Sequence, residues 1–240
     1  MNIAIIFAGG TGQRMNTTSR PKQFLEVHGK PIIIYTLERF ERHPQIDGIV
    51  LVCLESWIAY AKQLVKRFQI TKLRAVIPGG RTGQESIFNG VKKAYELYSK
   101  DDIVLVHDGV RPLIDEDTIS QCIISVKEHG NAITVAPAIE TVFVKSRGNQ
   151  CVGTILNRDK CELAKAPQCF YLKDIYTAHR KALNEGKIDC IDSASLMQYY
   201  GYSLFTVEGS AENIKITTPT DYYIFRALLD AHENLQIMGV

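Results

Sequence analysis

The chain has 240 residues, 45% of them hydrophobic, enough to bury a full core as one large domain. Its 28 basic and 26 acidic residues leave a net charge of +2, so neither nucleic acid nor an anionic membrane is demanded as a partner. Six cysteines with no C-x-x-C pair, no cationic leader and no apolar run near the ~18 residues of a membrane span point to a reduced, soluble, cytoplasmic protein.

In chain order, Ile3–Ala8 reads as a buried strand ended by glycines. Pro31 opens a helix over Ile32–Arg42, and Ile49–Leu54 is a second apolar strand. Ala61, Leu64, Val65 and Phe68 form a helical stripe, Ala75–Ile77 a short strand, and Val91, Ala94, Tyr95 and Tyr98 another helical face. Ile103–Val106 is a further apolar strand, leading into His107-Asp108. Alternating helices and strands that are apolar on both faces predict an α/β fold, a mainly parallel wound sheet covered by helices on both sides.

The rhythm changes after residue 131. A strand over Ala132–Ala138 precedes two arms, Thr141–Lys145 and Gln150–Leu156, joined by Arg147-Gly148-Asn149 like a hairpin. Such an insertion into a wound sheet predicts a protruding arm at about residues 139–158 on an otherwise single 1–240 domain, and dimerisation through it. A simple local extension of the sheet is the competing reading. Helical pattern resumes at Leu172, followed by a strand over Ser203–Glu208 and a last helix with Ile224, Ala227, Leu228 and Ala231 on one face.

Chemistry concentrates in the first loop. Ala8-Gly9-Gly10-Thr11-Gly12-Gln13-Arg14-Met15 runs on to Arg20-Pro21-Lys22-Gln23, with no acidic residue between Gly9 and Gln23. Glycines let successive N–H groups face one concavity, and cations beside them suit a polyphosphate. A dinucleotide fingerprint is excluded, because the third glycine is missing and Glu55 lies too far on to be its acid. A P-loop is excluded because Gly29-Lys30 is followed by Pro31. Asp115-Glu116-Asp117 spells the D-x-D of metal-dependent glycosyltransferases, but its place before Thr118-Ile119 predicts a helix start instead.

The segment A-G-G-T-G-Q-R-M…P-K-Q-F resembles the loop of sugar-nucleotide pyrophosphorylases, and more narrowly of the cytidylyltransferases that activate methylerythritol phosphate or ribitol phosphate. The likeness extends to Gly79-Gly80 with Ser86, His107 to Pro112, Asn157-Arg158, Ala166-Pro167-Gln168 and Glu212 to Thr217. It implies transfer of CMP from CTP to a polyol phosphate with release of pyrophosphate, a Mg²⁺ ion, and a homodimer with exchanged arms. By the same resemblance, Phe7, Ala8, Gly9, Gly10, Thr11, Gly12, Gly80, Arg81, Ser86, Asp108 and Gly109 would contact CTP. Asp108, Arg111, Thr141, Arg158 and Lys215 would contact the acceptor, with Thr141 expected from a partner subunit.

A phosphomonoester is already ionised near pH 7, so the reaction requires positioning and charge neutralisation rather than a base. Arg14 and Lys22 are expected to stabilise the reacting phosphates, and Arg158 and Lys215 to orient the acceptor. Arg20 and Arg147 are expected to be solvated bystanders, and His107 structural. Asp108, at a strand end, is a candidate for Mg²⁺, ribose or acceptor hydroxyls, and a turn or cap carboxylate otherwise. Gly-Gly-Thr-Gly, Val110 and Asn157 resemble the ribitol-phosphate branch, whereas Asp192-Ser193-Ala194-Ser195 resembles the methylerythritol branch. Gly83 replaces an arginine usual in both, with Arg81 two residues earlier, and Gly109 is expected to enlarge the acceptor space. The acceptor favoured is D-ribitol 5-phosphate; a non-catalytic nucleotide-binding protein is the remoter alternative.

Overall fold

The computed structural model describes residues 1–10, 20–146 and 151–238. Strand β1 (Asn2–Ala8) buries Ile3 and Ile5 on one face and Ala4 and Ile6 on the other. A small ribbon, β2 (Glu26–Val27) and β3 (Lys30–Pro31), precedes α1 (Ile32–Arg42). The chain then alternates through β4 (Gly48–Cys53), α2 (Ile58–Arg67), β5 (Leu73–Pro78), α3 (Gly83–Leu97), β6 (Ile103–Asp108), α4 (Glu116–His129) and β7 (Asn131–Pro137). The arm follows as β8 (Val142–Lys145) and β9 (Val152–Leu156). The remainder is β10 (Glu162–Tyr171), α5 (Leu172–Asn184), α6 (Ser193–Tyr199), β11 (Thr206–Glu208) and α7 (Pro219–Met238).

Seven strands form one sheet in the order β11-β7-β10-β6-β1-β4-β5. The β6-β1-β4-β5 half is parallel, and β11 is parallel to β7. Helices α1, α2 and α4 cover the face bearing Ala4, Ile6, Leu51 and Leu105; α3, α5 and α6 cover the face bearing Ile3, Ile5, Val52 and Val104. Each fully buried Ile or Leu contributes roughly 1.5–3 kcal/mol, so this double cover is what holds the sheet ends in place. Gly90 lets α3 lie close to the sheet, since a Cβ there would stand 2.5 Å from Ile5 Cγ2. The wound, mainly parallel sheet expected from the alternation is present.

Besides the small β2–β3 ribbon, strand β10 and helix α6 depart from the expected elements. Strand β10 inserts between β6 and β7, antiparallel to both, where no strand was expected. Its middle, Ala164-Lys165-Ala166-Pro167-Gln168, interrupts any apolar run with a lysine and a proline. Helix α6 was masked by its polar start, yet Asp192 caps it by accepting the Ser195 N–H at 2.8 Å. The same device explains the D-x-D sequence. Asp115 accepts the Thr118 N–H at 2.6 Å and its hydroxyl at 2.8 Å, and Glu116 and Asp117 fall in the first turn of α4. The first arm of the hairpin begins one residue later than expected, at Val142, and the second is seen from Val152, the expected start at Gln150 lying outside the described residues; among the described residues the two arms pair with each other as a two-stranded sheet.

Candidate active site

Strands β1, β4 and β6 end together at Ala8, Cys53 and Asp108, the edge at which open α/β sheets hold ligands. Above this edge lies a cleft of about 360 Å³ lined by Phe7, Ala8, Gly9, Gly10, Lys22, Gln23, Gly80, Arg81, Thr82, Gly83, Ser86, Asp108, Val110 and Lys215. Gln23, known from sequence only as part of the motif, is buried and donates through Nε2 to the carbonyls of Ala8 (2.6 Å) and Gly10 (3.3 Å). It fixes the exit of β1 through the carbonyls of the first loop.

The opposite wall is the Gly79–Gly83 turn. Ser86 Oγ accepts the Gly80 N–H at 2.9 Å and donates to the Thr82 carbonyl at 2.8 Å. Its one proton is thus directed at the turn rather than into the cleft, and Ser86 acts by shaping the loop. A Cβ on Gly9 or Gly79 would stand 3.3 or 3.1 Å from this hydroxyl, so both glycines let the two loops close on each other. Arg81 pairs with Glu85 at 3.4 Å, with 93% of its side chain exposed, at the rim. A Cβ on Gly83 meets nothing within 4 Å, which leaves a wide mouth between Arg81 and the floor.

A second cleft of about 320 Å³ adjoins the first and shares Phe7, Gly83, Asp108 and Lys215 with it. Arg111, Lys165, Gln168 and Asp192 line its far side. On the shared wall Asp108 pairs with Lys215 Nζ through Oδ1 (2.6 Å) and with Arg111 Nε through Oδ2 (2.9 Å). Burial opposes the charge on Asp108, but Lys215 and Arg111 outweigh it and hold its carboxyl below the usual carboxylate range. Lys22 donates to the Ile216 carbonyl at 2.8 Å, and Arg111 Nη1 to the Asn213 carbonyl at 2.8 Å, so the 213–216 segment straps both clefts. Cations therefore converge from both sides on one carboxylate, an arrangement suited to two phosphate groups that must approach each other.

Residues 2–231 match the family of 2-C-methyl-D-erythritol 4-phosphate cytidylyltransferases. The chain belongs to this family. Among its relatives, a ribitol-5-phosphate cytidylyltransferase of Vibrio parahaemolyticus is 52% identical over 239 residues, covering 100% of both chains. One of Streptococcus agalactiae serotype III is likewise 52% identical over 240 residues. A 2-C-methyl-D-erythritol 4-phosphate cytidylyltransferase of Syntrophus aciditrophicus is 39% identical over 233 residues, 96% of this chain and 97% of that one. Among solved structures, the 4-diphosphocytidyl-2C-methyl-D-erythritol synthase of Anaerococcus prevotii superposes with a TM-score of 0.81 at 28% identity, covering 95% and 96%.

This cytidylyltransferase brings together most of the residues expected at its site, and leaves others apart. Phe7, Ala8, Gly9, Gly10, Lys22, Gly80, Arg81, Ser86, Asp108 and Lys215 share the first cleft, and Arg111 joins the second. Thr11, Gly12 and Arg14 lie outside the described residues, as does Arg147. Arg20 pairs with Glu26 at 3.0 Å on the exterior, consistent with a bystander. His107 is fully buried against Phe40, contacts the Arg111 carbonyl at 3.1 Å, and is pushed down to about 4 by burial, as befits a structural histidine.

One expectation is corrected, and two expected acceptor residues stand away from the clefts of their own chain. Gly109 lines neither cleft: its N–H donates to the Phe7 carbonyl, its own carbonyl accepts from Thr36, and a Cβ there would meet Ile33 at 2.7 Å. It permits close packing behind the site and adds no acceptor space. Arg158 does not meet Lys215 within the chain; it is exposed, donating to the Ile139 carbonyl at 3.3 Å. Thr141, expected to act from a partner subunit, is exposed at the base of β8 and lines neither cleft of its own chain. Lys165 was missed, although it stands immediately before the Ala166-Pro167-Gln168 motif.

Proposed function

We propose that the chain transfers CMP from CTP to D-ribitol 5-phosphate, giving CDP-ribitol and pyrophosphate. What carries the reading is the pair of clefts sharing the Asp108–Lys215 wall, one glycine-lined for a triphosphate and one cation-lined for a second phosphate. For the acceptor, the support is the 52% end-to-end identity to proteins named for ribitol 5-phosphate, against 39% to one named for methylerythritol phosphate.

In this scheme CTP lies in the first cleft with its phosphates over Gly9, Gly10 and Lys22. An ionised oxygen of the acceptor phosphate attacks the α-phosphorus; a P–O bond forms there while the bond to the bridging β-oxygen breaks, and its electron pair leaves with pyrophosphate. Lys22, with Arg14 as the expected companion, neutralises the phosphoryl oxygens, and Lys215 and Arg111 hold the incoming phosphate. Both must partly exchange Asp108 for phosphate, which ties acceptor binding to rearrangement of the shared wall.

A magnesium ion is proposed as the divalent cofactor. Among the described residues no cluster of three or more His, Cys, Asp or Glu is placed to hold a metal ion, and both Asp108 oxygens are already ion-paired. This donor set fits an ion held chiefly by triphosphate oxygens, with Asp108 as one carboxylate neighbour, and such an ion would offset charge on the α-phosphoryl group. The arm is proposed to pack on a second copy and deliver Thr141 and Arg158 to that copy's acceptor cleft. The working compartment proposed is the cytoplasm; among the described residues no helix is long and apolar enough to cross a membrane.

The decisive assay is pyrophosphate release from CTP with a panel of polyol phosphates. Ribitol 5-phosphate is expected to give the highest kcat/KM. Preference for methylerythritol phosphate would reassign the acceptor alone, and no release with any of them would refute the transfer reaction.

A further inference from the structure

Between Ala164 and Gln168, strand β10 slips against β7: Ala164 pairs with Val135 and Gln168 with Ile133, so four steps of one strand span two of the other. Bulges of this kind re-aim side chains beside active sites. Here the bulge releases Lys165 from the ladder and lays it on the 210–213 loop. Its Nζ donates to the carbonyls of Ala211 (2.9 Å), Ser210 (3.1 Å) and Asn213 (3.5 Å), three acceptors for the three donors of an ammonium group. The next residue of the bulge closes the latch, because the Ala166 carbonyl accepts Asn213 Nδ2 at 2.7 Å. Two residues beyond Asn213, Lys215 reaches Asp108.

We propose that Lys165 is a positioning residue: it fixes the 210–213 loop and thereby sets Lys215 against the acceptor phosphate. The inference rests on the second cleft being the acceptor site. Lys165 is set apart from Arg111 and Lys215 by its partners, which are backbone carbonyls rather than Asp108. Its role is therefore to aim a neighbouring cation, and its effect must pass through Lys215.

Lys165→Met and Lys165→Arg, each in the full chain, are compared with wild type by steady-state kinetics in which CTP and ribitol 5-phosphate are varied separately. Lys165→Met is expected to lower kcat/KM for the polyol phosphate about ten- to a hundredfold, as a misplaced catalytic group does, while KM for CTP stays within about twofold. Lys165→Arg, which keeps donors for the carbonyls, recovers most of the loss. Combined with Lys215→Ala, Lys165→Met adds no further loss, since both act through one group. An equal rise in KM for CTP and for the acceptor, unchanged kinetics, or a full additional loss on top of Lys215→Ala would each overturn the proposal. If Lys165→Met does not fold, judged by its thermal melt, Lys165→Gln takes its place with the same expectations. A wild-type chain that transfers CMP to no polyol phosphate would overturn the underlying reading first, and is seen before any variant is made.

Discussion

In the paired clefts the described cations already have partners: Lys215 and Arg111 with Asp108, Lys22 with the Ile216 carbonyl, Lys165 with the 210–213 carbonyls, Arg81 with Glu85. The arm is the reverse. Phe143, Ile155 and Ile139 are 49%, 66% and 78% exposed, and Arg158 and Thr141 lie away from both clefts. Phe143 and Ile155 are paired across the two-stranded sheet, and such exposed apolar side chains on an isolated ribbon are marginal in water and are the kind of surface that marks an interaction site. One region is thus preorganised within a chain, and the other is the region proposed to pack on a second copy. The contrast teaches that both clefts are assembled by charge and backbone pairing within the chain, whereas the arm keeps apolar surface in solvent.

The largest expected effect lies in the cleft. Lys22→Ala removes a charge-assisted contact of roughly 1.5–3 kcal/mol, so kcat should fall from about tenfold to over a hundredfold while the chain still folds cooperatively. Near-normal pyrophosphate release would remove Lys22 from the site. Next comes the arm. Placing aspartates at Phe143 and Ile155 should shift the sedimenting species from dimer to monomer and depress turnover with the polyol phosphate by about tenfold or more, while CTP still binds. A monomeric wild type, or a monomeric variant of full activity, would break the contrast between the two regions.

The smallest effect on turnover is that of the body behind the clefts, which shows in stability and pH instead. His107 and His179 are both buried and pushed down to about 4, His179 by burial beside Phe88. Their folded pKa values lie below the unfolded value of about 6.5, so the unfolded chain binds more protons between these limits. The stability they allow is whole above about pH 6.5 and lost as pH falls towards 4, at roughly 2–3 kcal/mol for each histidine. The melting temperature should therefore drop between pH 7 and pH 4.5, and His179→Phe should flatten that drop. An equally steep fall in the variant would assign the acid sensitivity elsewhere.

Much of the fold could be read from the order of residues, because apolar runs and turn chemistry are local. The exits of β1 and β6 at Ala8 and Asp108 follow from where those runs stop, and the cap at Asp115 follows from its place before a helix. Strand β10 could not be read that way: its Lys-Ala-Pro break looks like a loop, and only pairing with both β6 and β7 makes it a strand. The direction of Gly109 was likewise invisible, since the neighbours it must clear, Ile33 and Ala8, are brought there by packing.

By itself, then, the sequence determined the wound sheet, the glycine loop with Lys22 beside it, and a carboxylate at a strand end. The tertiary structure alone decided how the cations meet. Lys22 reaches the carbonyl of Ile216, 194 positions away, and Arg111 that of Asn213, 102 positions away, because one strap crosses the ends of neighbouring strands. It also decided that Arg158 stands apart from Lys215, and that a bulge turns Lys165 toward the loop that carries Lys215. Periodicity and glycine placement act over a few residues, whereas charge pairing across a sheet edge depends on which strands become neighbours.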